Sequence, residues 1–469
     1  MDTKRMFFAV AGTVAALCAS AEVDWTANPV VVNEGTEASP VEVGAQKDVV
    51  NVHIGDGGSG FVEMLAGGSI VTPEKSGGMI IGATAGSEGV LRIDQGGLCS
   101  VYSVTVGRDG SGSVAINGGS LSVTRTTYIG SAEGSIGEIV VDQSGTLSAG
   151  TSQSIIGKSG TGIIRVVNGT YSHAPSILGG ESTGCGIIWL MTDASMTSQN
   201  NSATIGSKGS GIVYMRGGNW RKTGTGGAKL CVRETSESYG VITGWGDIEM
   251  GKKYTLDNNG LVVADGKGDN GVIEERKLTY TATGELTAYT NSIENVSTNG
   301  WYAVNKGWLS MSITTSVPPG DSGVVTWGEA EDDDEIDLVN SARVTFHAIA
   351  NSGTASKPKG ITGFTGNLYA ADRSDVPALP GGAAAVGVWS FDIDGLYETA
   401  DFEFRYDHVK APKGVKLYQL GSDGETWTKL EAESFADYRV KVSGIPRAEA
   451  SRMFAAVAAA PSGLVVFVR

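Results

Sequence analysis

Between Val52 and Met250 the chain repeats one order of three landmarks eight times. The first is an apolar residue closed by glycine: Ile54-Gly55, Ile81-Gly82, Val106-Gly107, Ile129-Gly130, Ile156-Gly157, Leu178-Gly179, Ile205-Gly206 and a degraded Leu230-Cys231, at steps of 22 to 27 residues. The second is a glycine that opens an alternating apolar run, at Gly60, Gly89, Gly112, Gly137, Gly162, Gly186, Gly211 and Gly240. The third is a turn at Gly67-Gly68, Gly96-Gly97, Gly118-Gly119, Ser144-Gly145, Asn168-Gly169, Asp193-Ala194, Gly217-Gly218 and Trp245-Gly246. A unit this short has no core of its own, so its apolar face must be buried against its neighbours.

Inside each copy the apolar residues alternate, as in Val114-Ala-Ile116 and Ile139-Val-Val141, which is the period of a strand. Three short strands and three turns fill about 25 residues, one coil of a parallel β-helix. Glycine belongs at the corners because a sharp turn often demands positive φ. Eight coils at the strand-pairing distance span roughly 38 Å.

The grammar changes after Val317-Pro-Pro-Gly320 and the acidic run Glu329–Glu335. Longer alternating stretches follow at Ala342–Phe346, Val386–Phe391, Asp401–Tyr406, Val415–Leu420, Tyr438–Val442 and Leu464–Val468. These predict a compact antiparallel β-sandwich. The fold class expected is therefore all-β: a parallel β-helix followed by a carboxy-terminal antiparallel β-sandwich. The expected divisions are 1–21 signal peptide, 22–50 amino-terminal cap, 51–315 β-solenoid with an excursion at 266–299, 316–335 acidic linker and 336–469 sandwich.

Lys4 and Arg5, the apolar run Phe7–Ala16 and Ala19-Ser20-Ala21 read as a cleaved secretory signal, so the protein is expected outside the cytoplasm, extracellular or at the cell surface. No later segment is long and apolar enough to span a bilayer. The formal net charge is −16, and removing Asp2, Lys4 and Arg5 with the leader leaves 50 acidic against 33 basic residues. Such a balance disfavours nucleic acid as a partner. Cys99, Cys185 and Cys231 fall at different points of the repeat, so neither a disulfide nor a zinc site is expected.

The hydrophobic-Gly, Gly-hydrophobic-x-hydrophobic and Gly-Gly-x-hydrophobic order over about residues 51 to 250 resembles the short repeats of type V secretion passengers and PEP-CTERM surface proteins. The resemblance implies a bacterial, exported, adhesin-like β-solenoid. It extends to the passenger alone: the last 134 residues are few and charged for a membrane barrel, and Pro461–Arg469 carries no PEP-CTERM anchor.

Candidate chemistry is sparse. Asp94 and Asp142 hold matching positions two coils apart, near the separation of two carboxylates in an inverting glycosidase. Asn117 lies between them and Asn168 and Asp193 follow, a pattern that turn-forming side chains bonding their own backbone also explain. Arg92, Arg165 and Arg216 read as solvated and unaligned. His53, His173, His347 and His408 are too scattered for a triad or a metal site. Asp265–Gly271 departs from a calcium loop, lacking glycine at its sixth position and an acid at its twelfth, Arg276. No cofactor or metal is expected. Trp389 and Trp427, with Trp327 nearby, are candidate glycan contacts in the terminal domain, with core packing as the competing reading.

The expected function is that of a secreted, non-enzymatic surface or adhesin-like protein whose partner is a surface glycan or other cell-surface component. A polysaccharide-active lyase or glycosidase on the same scaffold is the alternative, and an architectural component of a surface layer a third.

Overall fold

The computed structural model describes residues 23–73, 75–173, 176–199, 202–223, 228–233, 238–250, 254–265, 277–282, 301–306, 308–313, 317–327, 338–356, 358–371 and 376–459. The leader, the acidic run at 329–335 and the strand expected at Leu464–Val468 lie outside these residues. The chain forms two compact units that divide between Gly246 and Asp247.

The first unit is a parallel β-solenoid of about eight turns. Its first wall stacks strand Val30–Val32 on Asn51–Ile54, that strand on Gly78–Ile81, and so on through the later coils. The second wall begins with Val41–Val43 on Ser59–Met64 and Glu88–Asp94, and the third with Gln46–Asp48 on Ser69–Val71. Residues 30–48 thus already make a coil of three strands within the stretch expected to cap the stack.

Register is kept at the first landmark. Val32, Ile54, Ile81, Val106, Ile129, Ile156, Leu178 and Ile205 pair one above another, all buried. The glycines after them, from Gly55 to Gly206, turn the corner at φ between 66° and 72°. Backbone bonds continue through this corner, with Gly82 N–H donating to the Ile54 carbonyl at 2.8 Å and Gly107 N–H to that of Ile81 at 2.7 Å. The second glycine column pairs likewise, Gly60 with Gly89 and Gly89 with Gly112. Two backbones meet here too closely for a side chain. A Cβ on Gly82 would lie 2.2 Å from the Ser111 carbonyl oxygen, and one on Gly89 2.1 Å from that of Ile54.

Three departures from the sequence reading concern the repeat. In the last copy it is Val232, not Leu230, that pairs with Ile205, because inward-facing parity continues two residues further. The third landmark is a left-handed turn at Gly67, Gly96, Gly118 and Ser144. From the fifth copy on, the chain runs through it in long strands, Thr161–His173, Cys185–Gln199 and Ser210–Thr223, with register shifts taking up the extra residues. Arg92 and Arg165 are also aligned: one outward column of the second wall reads Glu63, Arg92, Ala115, Val140, Arg165, Trp189, Tyr214.

The outer face of the third wall carries two adjacent columns of hydroxyls. One is Ser120, Thr146, Thr170 and Ser195, preceded by Gln46, Ser69 and Leu98 and followed by Asn219. The other is Ser100, Ser122, Ser148, Ser172 and Thr197, preceded by Asp48 and Val71 and followed by Arg221.

The interior changes along the stack. One inward column passes from Val101, Val123 and Ala149 to His173, Ser198 and Lys222, all buried. Tyr171 is also fully buried; burial pushes its phenol up to about 12, the Ser176 and Ser154 hydroxyls opposing. Burial lowers the Lys222 ammonium from 10.5 to about 8, against the pull of nearby Cys231.

In the second unit Lys277–Ala282, inside the expected excursion, is a strand paired parallel to Trp308–Ile313. Gly320–Trp327, inside the expected linker, is an edge strand pairing antiparallel with Ala342–Ile349. The Pro-Pro-Gly before it and the acids after it hid this strand. One antiparallel sheet runs Gly320–Trp327, Ala342–Ile349, Thr399–Arg405, Arg439–Pro446, Glu433–Ser434. The other joins Trp308–Ile313, Gly363–Tyr369, Ala385–Asp394, Phe454–Ala458, Val415–Leu420 and Trp427–Lys429. Aromatic rings fill the space between them, with Phe402 to Phe454 and Trp389 to Phe404 both at 4.7 Å.

Gly86 is left-handed at φ 76° but has open space where a Cβ would stand. Gly86→Ala is therefore expected to lose about 1 kcal/mol, the conformational cost alone, and Gly82→Ala about 3 kcal/mol or more, since the Ser111 carbonyl must also move. Equilibrium urea unfolding compares the two. Lys222 gives a pH test. Below pH 8 it is charged both folded and unfolded and the burial penalty is fully present; from about 8 to 10.5 only the unfolded chain keeps the proton, so stability rises with pH. The rise is about 3 kcal/mol, and Lys222→Met should remove it from melts taken across that range.

Candidate functional site

On the first wall, where strands Gly78–Ile81 and Leu98–Val106 lie side by side, the surface opens into a groove of about 320 Å³. That volume is at the lower end of what holds a small ligand. Paired glycines make the opening. Gly77 is left-handed at φ 90°, and a Cβ on it would meet the Val50 carbonyl oxygen at 2.0 Å. A Cβ on Gly78 would stand 2.5 Å from Ser103 Oγ.

Tyr102 supplies the aromatic wall. Its N–H donates to Thr72 Oγ1 at 2.8 Å, fixing the backbone. Its hydroxyl accepts from Arg125 Nη1 at 2.7 Å, and the guanidinium lies 5.7 Å from the ring centre. Arg125 reaches it because Thr124 and Arg125 form a bulge between the paired positions Val123 and Thr126. Asn51 is held by both ends of its amide: Oδ1 accepts from Gly78 N–H at 3.1 Å, and Nδ2 donates to Asn28 Oδ1 at 2.9 Å. Ser103 and Thr105 add hydroxyls, and Met79 and Ile80 complete the lining. Every lining side chain is neutral. An aromatic ring, an oriented amide and hydroxyls suit hydrogen bonding and stacking, not proton transfer at neutral pH.

The tryptophans expected as glycan contacts sit elsewhere. Trp389 is fully buried and its Nε1 donates to the Asn340 carbonyl at 3.1 Å. Trp427 is 8% exposed, packs with Val388 and Ala455, and donates to the Pro377 carbonyl at 3.1 Å. Trp327 is fully buried and donates to the Gly366 carbonyl at 3.0 Å. With ring faces inside the core and N–H groups engaged, none has a face to offer a sugar. Trp189 and Tyr214 of the second wall are partly exposed but stack on each other, centres 4.1 Å apart, which uses a face of each.

Asp94, Asn117 and Asp142 are in register, and Asn117 Nδ2 donates to Asp94 Oδ1 at 3.3 Å. Asp142 Oδ1 accepts from the next backbone N–H, of Gln143, at 2.7 Å. Asn168 and Asp193 pair with each other within continuous strands, not at a turn. Arg92 Nε donates to Glu63 Oε1 at 2.7 Å, and Arg165 Nη1 is 3.0 Å from Glu138 Oε1. These pairs tie successive coils together.

The histidines have separate local partners. His53 Nδ1 is 2.7 Å from Asp56 Oδ2, and His173 faces the solenoid interior. His347 Nε2 is 3.3 Å from Asp401 Oδ1, and His408 stacks over Tyr438 at 4.8 Å. Among the described residues no three His, Cys, Asp or Glu side chains form a metal-holding group, and no helix is long and apolar enough to cross a membrane. Cys99, Cys185 and Cys231 lie in three columns and none is in a disulfide, and burial pushes the Cys99 thiol up to about 12. Of Asp265–Gly271 only Asp265 lies within the described residues.

Sequence reading missed the groove. Its one visible signal is Gly77-Gly78 before an apolar pair, with a tyrosine at the neighbouring corner of the next coil.

Trp389→Ala is expected to cost about 4 kcal/mol through the cavity it leaves, and to leave unchanged any saccharide retention that the parent shows. Thermal melts and affinity electrophoresis measured on the same variant separate the two effects. Comparison with protein-family models, curated proteins and solved structures returned no match for this chain.

Proposed function

We propose that this is an exported bacterial surface protein, structural and adhesin-like, whose solenoid is a rigid wall and whose contact with its partner is a neutral saccharide held in the Tyr102 groove. The observation that carries the reading is the composition of that groove: one ring, one oriented amide and two hydroxyls, with no charged side chain in its lining. The partner is uncharged because the lining offers a buried charge no counter-ion, the neighbouring Arg125 being engaged with the Tyr102 hydroxyl. The glycine-locked coils supply the stiffness that a surface spacer needs. The contact is placed on the solenoid wall because the terminal-domain tryptophans are core residues.

Glycan-array screening followed by calorimetry tests this reading. A neutral oligosaccharide should bind, and Tyr102→Ala should weaken it about tenfold by loss of stacking. The reading fails if the variant binds as well as the parent, or if incubation yields new reducing or unsaturated sugar ends. Turnover lost in an Asp94→Asn, Asp142→Asn double variant would establish the polysaccharide-active alternative.

A further inference from the structure

The two hydroxyl columns on the third wall form a lattice. Successive coils set hydroxyl-bearing residues about 4.8 Å apart along the stack, and alternate residues of one strand set them about 6.7 Å apart across it. The lattice extends from Ser100 to Thr197 over five coils. All its members are partly or fully exposed, and none hydrogen-bonds through its side chain to another described residue. In a chain of net charge −16 neither column holds a charged side chain between Ser100 and Thr197; Asp48 stands two coils before Ser100 and Arg221 one coil after Thr197. Ser100 also stands two residues from Tyr102, so the lattice begins beside the groove.

We infer that this face docks the flat surface of an insoluble, uncharged polysaccharide, presenting hydroxyls to hydroxyls. The inference rests on the saccharide reading of the groove and names the form of its ligand. A single soluble sugar would meet only a small part of the lattice, whereas a partner periodic in two directions repeats each hydrogen bond at every coil. The missing charge selects a neutral partner, since a charged surface would lose its hydration without gaining an ion pair. Ice is also periodic and neutral, but most members of the lattice are serines. They lack the methyl groups that would order water around an apolar surface.

The test is co-sedimentation of the whole protein with microcrystalline cellulose and with chitin, alongside calorimetry with the matching soluble oligosaccharides. A Ser148→Lys, Thr170→Lys double variant should lose at least about tenfold of its retention on the solid while keeping the parent's affinity for soluble sugar. Tyr102→Ala should show the converse loss on soluble sugar, so failure of the groove and failure of the lattice are separable. A Ser122→Asp, Ser148→Asp pair checks the face by charge alone if the lysine variant does not fold. Equal retention of a folded lattice variant, no retention of the parent on either solid, or binding to ice without binding to polysaccharide would overturn the inference.

Discussion

The backbone bonds between successive coils set the terms for everything else in the solenoid. They run through the corners as well as the strands, as the Gly82 to Ile54 bond shows. Adjacent coils therefore stay at one separation where a looser turn would let them part. Glycine is the residue that survives there, because the carbonyl of a neighbouring strand occupies the place of its Cβ. The same bonds hold each side chain directly above its counterpart in the previous coil. A position thus becomes a column, and its chemistry is multiplied by the number of coils.

Columns divide the labour between inside and outside. The inward ones are mostly Val, Ile and Leu, each adding about 2 kcal/mol of burial at most. The outward ones contain ion pairs such as Arg165 with Glu138, an aromatic stack at Trp189 and Tyr214, and the hydroxyl lattice. The groove arises where this regularity breaks. A bulge delivers Arg125 to the Tyr102 ring, and two consecutive glycines remove the side chains that would fill the space.

The solenoid was legible because glycine and apolar residues are forced at fixed places by backbone geometry. Ile54 to Ile205 could be aligned by eye and pair as aligned. The sandwich was legible as alternation, as Val415–Leu420 shows, whereas Gly363–Tyr369, with two glycines and an asparagine, carries little strand signal. Two alignments differ with no bulge behind them. Arg92 and Arg165 each stand three residues after a second-landmark glycine and share a column, and in the eighth copy Val232, without a glycine to mark it, takes the place read at Leu230. Trp389 and Trp427 failed for another reason: a tryptophan beside a turn reads alike whether its ring faces solvent or core. The groove was hidden because its parts come from three successive coils, and only the fold brings Asn51 and Tyr102 to one surface.

The graded interior gives the stack a strong end and a weak end. Early coils are filled by Val, Ile and Met, while later ones enclose His173, Ser198 and Lys222. In a structure held together by nearest neighbours, the interface with the least favourable interior opens first. Pulled or heated, the solenoid unwinds like thread from the loose turns of a spool, and the dry coils remain as the template on which the rest can be rewound.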